Sequence, residues 1–281
     1  MKSTQVTDHA ITRRAFAARS VLVPMAALLS ATRPVRAGQA SKQVPPVRNP
    51  ALIDDLVAAN HILAQHAIVD GFGHASVRHD RNPNRYFLSR SLAPELVTAD
   101  DIVEFDLESV PVDAKGRSPY SERFIHGEIY RARPEVNAIV HCHAASLIPF
   151  GVGTVPLRPV YHMAAFLGEG VPVFDIRDAG GITDMLVSDR DRGRALARAL
   201  ANRAVVLMRG HGAVIVGSSV PMAVGRSIYL DMNARVQAQA IALGGPITYL
   251  DPGEARNILA AGENGGYQRP WELWKQKAGS R

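Results

Sequence analysis

Val136-Asn137-Ala138-Ile139-Val140-His141-Cys142-His143 is the stretch on which the reading of this chain turns. A short apolar run ends in two histidines one residue apart, and a β-strand sends alternate side chains to the same face. His141 and His143 are therefore expected to point together, where they could grip one divalent cation, with Cys142 directed to the opposite face as a small core residue. A His-x-His pair alone is weak evidence, because lone histidines are more often ordinary core or surface residues.

Two other segments complete the set. His211 follows the apolar run Ala204-Val205-Val206-Leu207-Met208 and sits in Arg209-Gly210-His211-Gly212, where the glycines let backbone approach a site closely. Glu122 opens a segment of helical spacing, with His126 one turn later on the same face. A carboxylate there could ligate the metal or carry a proton to and from substrate, while three imidazoles leave coordination positions open.

Periodicity around these residues predicts mixed structure. An amphipathic helix from Leu52 stops before Asp70-Gly71. Strands are expected over 75–78, 86–89, 102–106 and 109–112, separated by turn signals such as Asn82-Pro83. A helix over 122–131 with Ser121 as N-cap leads into a strand over 138–143, and further strands are expected at 171–174 and 205–208. Helices are expected over 191–201, 221–243 and 254–260, the long one with Ile228, Met232, Val236, Ala240 and Leu243 on one face. Strands before helices, then mixed order, favour a layered α/β domain over a doubly wound parallel sheet.

The N-terminus reads as export machinery. Arg13-Arg14 precede the apolar run 21–31, and Val35-Arg36-Ala37 offers small residues for cleavage, so residues 1–37 are expected to be a twin-arginine signal peptide. The expected destination is the periplasm or the exterior, with no stable membrane anchor after cleavage, since the run is short and contains Pro24. Six basic residues against one acidic residue in that segment carry +5 of the chain's formal +6, so the basic balance does not point to nucleic acid. A linker is expected at 38–50, a single catalytic domain at 51–262 and a C-terminal tail at 263–281. Trp271 and Trp274 are expected to pack rather than to bind ligand, and the single cysteine excludes an internal disulfide.

The segment from Ser121-Glu122-Arg123-Phe124-Ile125-His126 through Arg133-Pro134 to His141-Cys142-His143, with Gly73-His74-Ala75-Ser76-Val77-Arg78 before it and His211-Gly212 after it, resembles the class II aldolase/adducin family. The resemblance runs from about Leu52 to about Leu250. It implies a three-layer α/β/α sandwich around a mainly antiparallel sheet, a homotetramer with sites at subunit interfaces, His141, His143 and His211 as metal ligands, and Glu122 as metal ligand or proton carrier. Zinc is the first expectation for the metal, with manganese, cobalt or iron as alternatives, because imidazole accepts them all.

The chain departs from the sugar-phosphate aldolases of that family. Their Gly-Asn-x-Ser phosphate loop is replaced by Gly71-Phe72-Gly73-His74, a bulkier and partly aromatic pocket, which argues against a phosphorylated sugar. Their proton-donating tyrosine aligns near Tyr161-His162-Met163, so acid/base work is expected to pass to His162 or Tyr161. These features resemble instead a branch holding hydroxyaromatic-acid decarboxylases and a non-haem iron oxygenase. The expectation is a metal-dependent carbon–carbon lyase, first of all a decarboxylase of a hydroxyaromatic or keto acid. His74, Arg123 and His126 would meet a small carboxylate substrate, and Arg78 and Arg158 are weaker candidates for the same clamp. Rival expectations are an aldolase or epimerase on an unphosphorylated hydroxy-keto or sugar acid, an Fe(II) oxygenase, and a non-catalytic adducin-like module.

Overall fold

The computed structural model describes residues 48–279, so the expected signal segment and most of the linker lie outside the described residues. Among the described residues no helix is long and apolar enough to cross a membrane.

Among the described residues seven strands make one sheet: β1 (His74–Arg78), β2 (Arg85–Ser89), β3 (Ile102–Asp106), β4 (Ala138–Cys142), β5 (Val173–Phe174), β6 (Val205–Met208) and β7 (Gly212–Gly217). Their order is β3-β2-β1-β4-β7-β6-β5, antiparallel throughout except for the parallel pair β5 and β6. The helices are α1 (Pro50–Gln65), α2 (Phe124–Ala132), α3 (Ile148–Val152), α4 (Arg177–Gly180), α5 (Arg190–Leu200), α6 (Val220–Leu243), α7 (Pro252–Ala260) and α8 (Gln268–Gly279). Local chemistry sets their starts: Asn49, Asp189, Ser219 and Asp251 each accept a first-turn N–H at the N-cap of α1, α5, α6 and α7.

The alternation of strand side chains builds two cores. Ala75, Val77, Ala138, Val140, Cys142 and Ile215 pack with α1, α6 and α8 on one face. Leu88, Ile139, Val206 and Val214 pack on the other with Ile125 and Ile129 of α2 and Leu196 and Leu200 of α5. This is the three-layer, mainly antiparallel sandwich expected, with Cys142 buried on the face opposite its flanking histidines. Glu128, buried on α2, pairs with Arg190 at 2.7 Å and ties α2 to α5. Trp271 and Trp274 of α8 sit in the first core beside α1.

Several local expectations are corrected. Residues 109–112 form no strand: Ser109 takes φ 62°, and Asp106 accepts from Val110 N–H, turning the chain back on β3. Ser121 caps nothing, because residues Ser121–Arg123 form a 3-10 turn in which Glu122 leaves helical geometry and α2 begins at Phe124. The strand at 171–174 shortens to β5, and β7 was not anticipated. On α6 the expected apolar face is wrong, since Met232, Val236 and Leu243 are exposed. Asn233 and Gln237 are buried instead, each with both a donor and an acceptor engaged by the backbone of residues 156–160 at 2.8–2.9 Å. That extended segment needs hydrogen-bond partners, and two amides satisfy it better than leucines could.

Candidate metal centre

His141 and His143 lie at the end of β4 on the α2-facing side, as strand alternation requires, and His211 comes from the turn joining β6 to β7. Glycine makes that turn possible. Gly210 takes φ 63°, and a Cβ on Gly212 would stand 1.9 Å from the Cys142 carbonyl, so β7 can begin against β4 only without a side chain there. Glu122, in the kink before α2, aims its carboxylate into the same space.

The donor atoms converge. His143 Nε2 stands 3.1 Å from both His141 Nε2 and His211 Nε2, and Glu122 Oε2 stands 3.3 Å and 3.4 Å from the latter two. Four donors held tetrahedrally about 2.0–2.1 Å from a zinc-like ion are spaced about 3.3 Å apart, which is the spacing found. Neighbouring carbonyls fix two of the tautomers. His141 Nδ1–H donates to Ala213 O at 3.2 Å and His211 Nδ1–H to Met185 O at 3.0 Å, which leaves both Nε2 lone pairs turned inward. Lone pairs facing each other at such distances repel unless a cation lies between them, so Glu122, His141, His143 and His211 fit a divalent metal.

The charge balance agrees. Burial alone would raise the Glu122 carboxyl, but His141 and His211 beside it hold it far below the usual carboxylate range. Burial, with His141 and His211 nearby, lowers His143 to about 4. Burial would also lower His211, but the Glu122 hydrogen bond and charge outweigh it and raise the group. Glu122 Oε1 accepts from Val187 N–H at 3.0 Å, which orients the carboxylate and leaves Oε2 for the centre.

A cavity of about 340 Å³ opens beside the centre, bounded by Phe72, His74, Tyr120, Glu122, His143 and Leu186 among others. Phe72 is 70% exposed with its ring 6.4 Å from that of His143, so the 71–74 loop presents an aromatic face to the cavity. His74 reaches the cavity; His126 does not, being wholly buried behind it with Nε2 2.7 Å from His74 Nδ1. Burial lowers His126 to about 3 and, with His126 and His141 close by, holds His74 well below its ordinary value.

The arginines are engaged elsewhere. Arg123 donates to Ser109 O and Tyr120 O, and buried Arg78 donates to the carbonyls of Pro83, Tyr130, Val136 and Arg133. Arg158 lies over the Tyr249 ring at 3.9 Å. His162 borders a second cavity, with Tyr229, Gln268 and Arg269, that shares no lining residue with the first. Tyr161 has a buried hydroxyl without a hydrogen-bond partner among the described residues. Within one chain neither residue is brought to the metal centre. Sequence reasoning did not single out Ser76 and Tyr130, which hydrogen-bond behind His126; the polar alternation His74, Ser76, Arg78 along a fully buried strand is the signal that could have found them.

Residues 54–238 match the family described as Class II Aldolase and Adducin N-terminal domain. The chain belongs to the class II aldolase/adducin family. Among its relatives, Decarboxylase tropJ of Talaromyces stipitatus is 37% identical over 241 residues, covering 78% of this chain and 90% of that one. A 3,4-dihydroxyphthalate decarboxylase of Terrabacter is 30% identical over 66% of this chain and 80% of its own. The solved L-fuculose 1-phosphate aldolase of Glaciozyma antarctica superposes with a TM-score of 0.67 at 25% identity, covering 81% of this chain and 88% of that one. The family thus joins this metal-competent cluster to both decarboxylases and aldolases.

Proposed function

We propose that this class II aldolase relative is a divalent-metal-dependent carbon–carbon lyase that decarboxylates a hydroxyaromatic acid. The observation that carries the reading is the pairing of the convergent Glu122, His141, His143 and His211 donors with a cavity walled by Phe72 and His74 where the sugar-phosphate aldolases keep a phosphate loop. Similarity to Decarboxylase tropJ and to the dihydroxyphthalate decarboxylase supports the choice of reaction.

A divalent ion at this site supplies a Lewis acid that takes up the charge left as a carbon–carbon bond breaks. His141, His143 and His211 would hold it, with zinc the first candidate. Glu122, kept anionic by the imidazoles around it, accepts a proton rather than offering one in the resting site. Phe72 offers an apolar face for an aromatic ring, and Leu186 helps to close the cavity against water. A part for His162 or Tyr161 in returning the proton requires a second copy of the chain, which the homo-oligomer we propose would supply.

The test is gas analysis. Metal-loaded protein incubated with dihydroxy- and monohydroxybenzoic acids should release carbon dioxide and the matching phenol. Aldehyde release from hydroxy-keto or sugar acids, with no carbon dioxide from any aromatic acid, would replace this reading with the aldolase one.

A further inference from the structure

Behind the cavity, β1 and α2 carry a continuous run of hydrogen bonds that the metal centre does not use. Tyr130 OH lies 2.8 Å from Ser76 Oγ, Ser76 Oγ lies 2.6 Å from His126 Nδ1, and His126 Nε2 lies 2.7 Å from His74 Nδ1. All four side chains are buried. The Tyr130 hydroxyl is bonded to Ser76, and the Ser76 hydroxyl to Tyr130 and His126.

Counting protons gives this run a direction. If His126 Nδ1 carried a proton, Ser76 would have to accept it. The serine could then donate to Tyr130, stranding the phenolic proton, or accept from Tyr130 as well, stranding its own. Either choice leaves an O–H in the core without an acceptor, and buried donors are rarely left so. One arrangement satisfies every group: Tyr130 donates to Ser76, Ser76 donates to His126 Nδ1, and His126 Nε2–H donates to His74 Nδ1. The remaining proton of His74 is then on Nε2. That atom makes no hydrogen bond among the described residues, and His74 borders the cavity beside Glu122 and His143.

We propose that Tyr130, Ser76 and His126 are positioning residues that lock His74 in its Nε2–H tautomer, making His74 a neutral hydrogen-bond donor that selects a substrate carboxylate. The same lock keeps His74 out of the metal's ligand set, although its ring centroid is only 5.2 Å from that of His141, because Nδ1 is engaged and Nε2 bears a proton. A donor fixed in advance favours ligands that present an acceptor-only oxygen over those that present a hydroxyl in the same place. The tautomer and its relay stand apart from the reaction; only the naming of the carboxylate rests on the decarboxylase reading.

The test uses full-length, zinc-loaded protein labelled with ¹⁵N-histidine, with the His74 resonances assigned by loss in His74→Gln. Long-range ¹H–¹⁵N correlation should show His74 protonated at Nε2 and not at Nδ1. In Ser76→Ala the His74 pattern should become a mixture of tautomers while zinc stoichiometry stays as in the wild type. Salicylate binding should weaken about tenfold in that variant while phenol binding stays unchanged, a loss in keeping with one hydrogen bond to a charged group. A His74 protonated at Nδ1 in the wild type overturns the proposal, and that measurement decides the matter even if Ser76→Ala fails to fold. Equal weakening for salicylate and phenol overturns the carboxylate assignment. Absence of carbon dioxide release with the Nε2–H tautomer and the salicylate preference intact would overturn the decarboxylase reading and leave this inference in place.

Discussion

Two groups of histidines lie side by side on the same face of the sheet, and they are built on opposite plans. In His74 and His126 nitrogen meets hydrogen-bond partner in sequence, through Ser76 to Tyr130, so the protein satisfies every ring nitrogen of the pair except His74 Nε2 at the cavity. In His141, His143 and His211, backbone carbonyls tie down the outer nitrogens of two rings, and the inner nitrogens converge, His143 at 3.1 Å from the other two, beside the Glu122 carboxylate. One group is a relay with a single open end, and the other is a set of donors with the spacing of a cation site. The same residue type thus serves as hydrogen-bond relay or as metal donor according to where its second nitrogen points.

Single substitutions should separate the two groups of histidines. His141→Ala should have the largest effect, abolishing zinc retention and activity while leaving the circular dichroism of the fold intact; metal analysis showing full occupancy would remove the centre from its present place. Ser76→Ala should act in the opposite way. It strands His126 and Tyr130 in the core and should cost roughly 2–4 kcal/mol in urea unfolding with zinc stoichiometry unchanged. Loss of zinc with no loss of stability would mean that the two groups are one.

Glu122→Gln removes the charge but keeps the Val187 hydrogen bond, and should weaken zinc binding by about 10- to 100-fold in a chelator competition. Acid should reach the satisfied group through stability. His126 in the folded protein titrates at about 3 against an ordinary value of 6.5, so between these values the unfolded chain takes up a proton that the fold refuses. Its contribution is full above about pH 6.5 and is lost as pH falls toward 3. Metal-free wild type should therefore lose stability across that window in urea titrations, with a shallower slope in His126→Gln. The smallest effect belongs to Phe72→Ala at the cavity rim, which should raise KM for an aromatic acid by up to about tenfold with kcat and stability unchanged.

What the sequence disclosed follows the range of the forces involved. His141 and His143 could be paired because strand alternation is local, and His211 because its flanking glycines announce a close approach that Gly212 makes against Cys142. Glu122 was found although the expected Ser121 cap does not form, since its carboxylate reaches the centre from a kink that helical periodicity does not describe. β7 went unread because its run 213–216 follows His211 at once and invites no separate element. The buried face of α6 was misjudged because Asn233 and Gln237 answer a segment more than 70 residues away, and polarity there reads locally as exposure. Ser76 and Tyr130, 54 residues apart, meet only when β1 lies under α2.

The docking of α8 on α1 carries a consequence in time. Lys275 of α8 pairs with Asp55 of α1 across 220 residues of sequence, and Trp271 and Trp274 share a core with Leu56, Ile62 and Leu63. At synthesis rates of about 5–20 residues per second, roughly ten to forty seconds separate the emergence of the two helices. Through that interval the apolar side of α1 lacks its last covering layer, so the order of synthesis leaves this stripe waiting on the final helix.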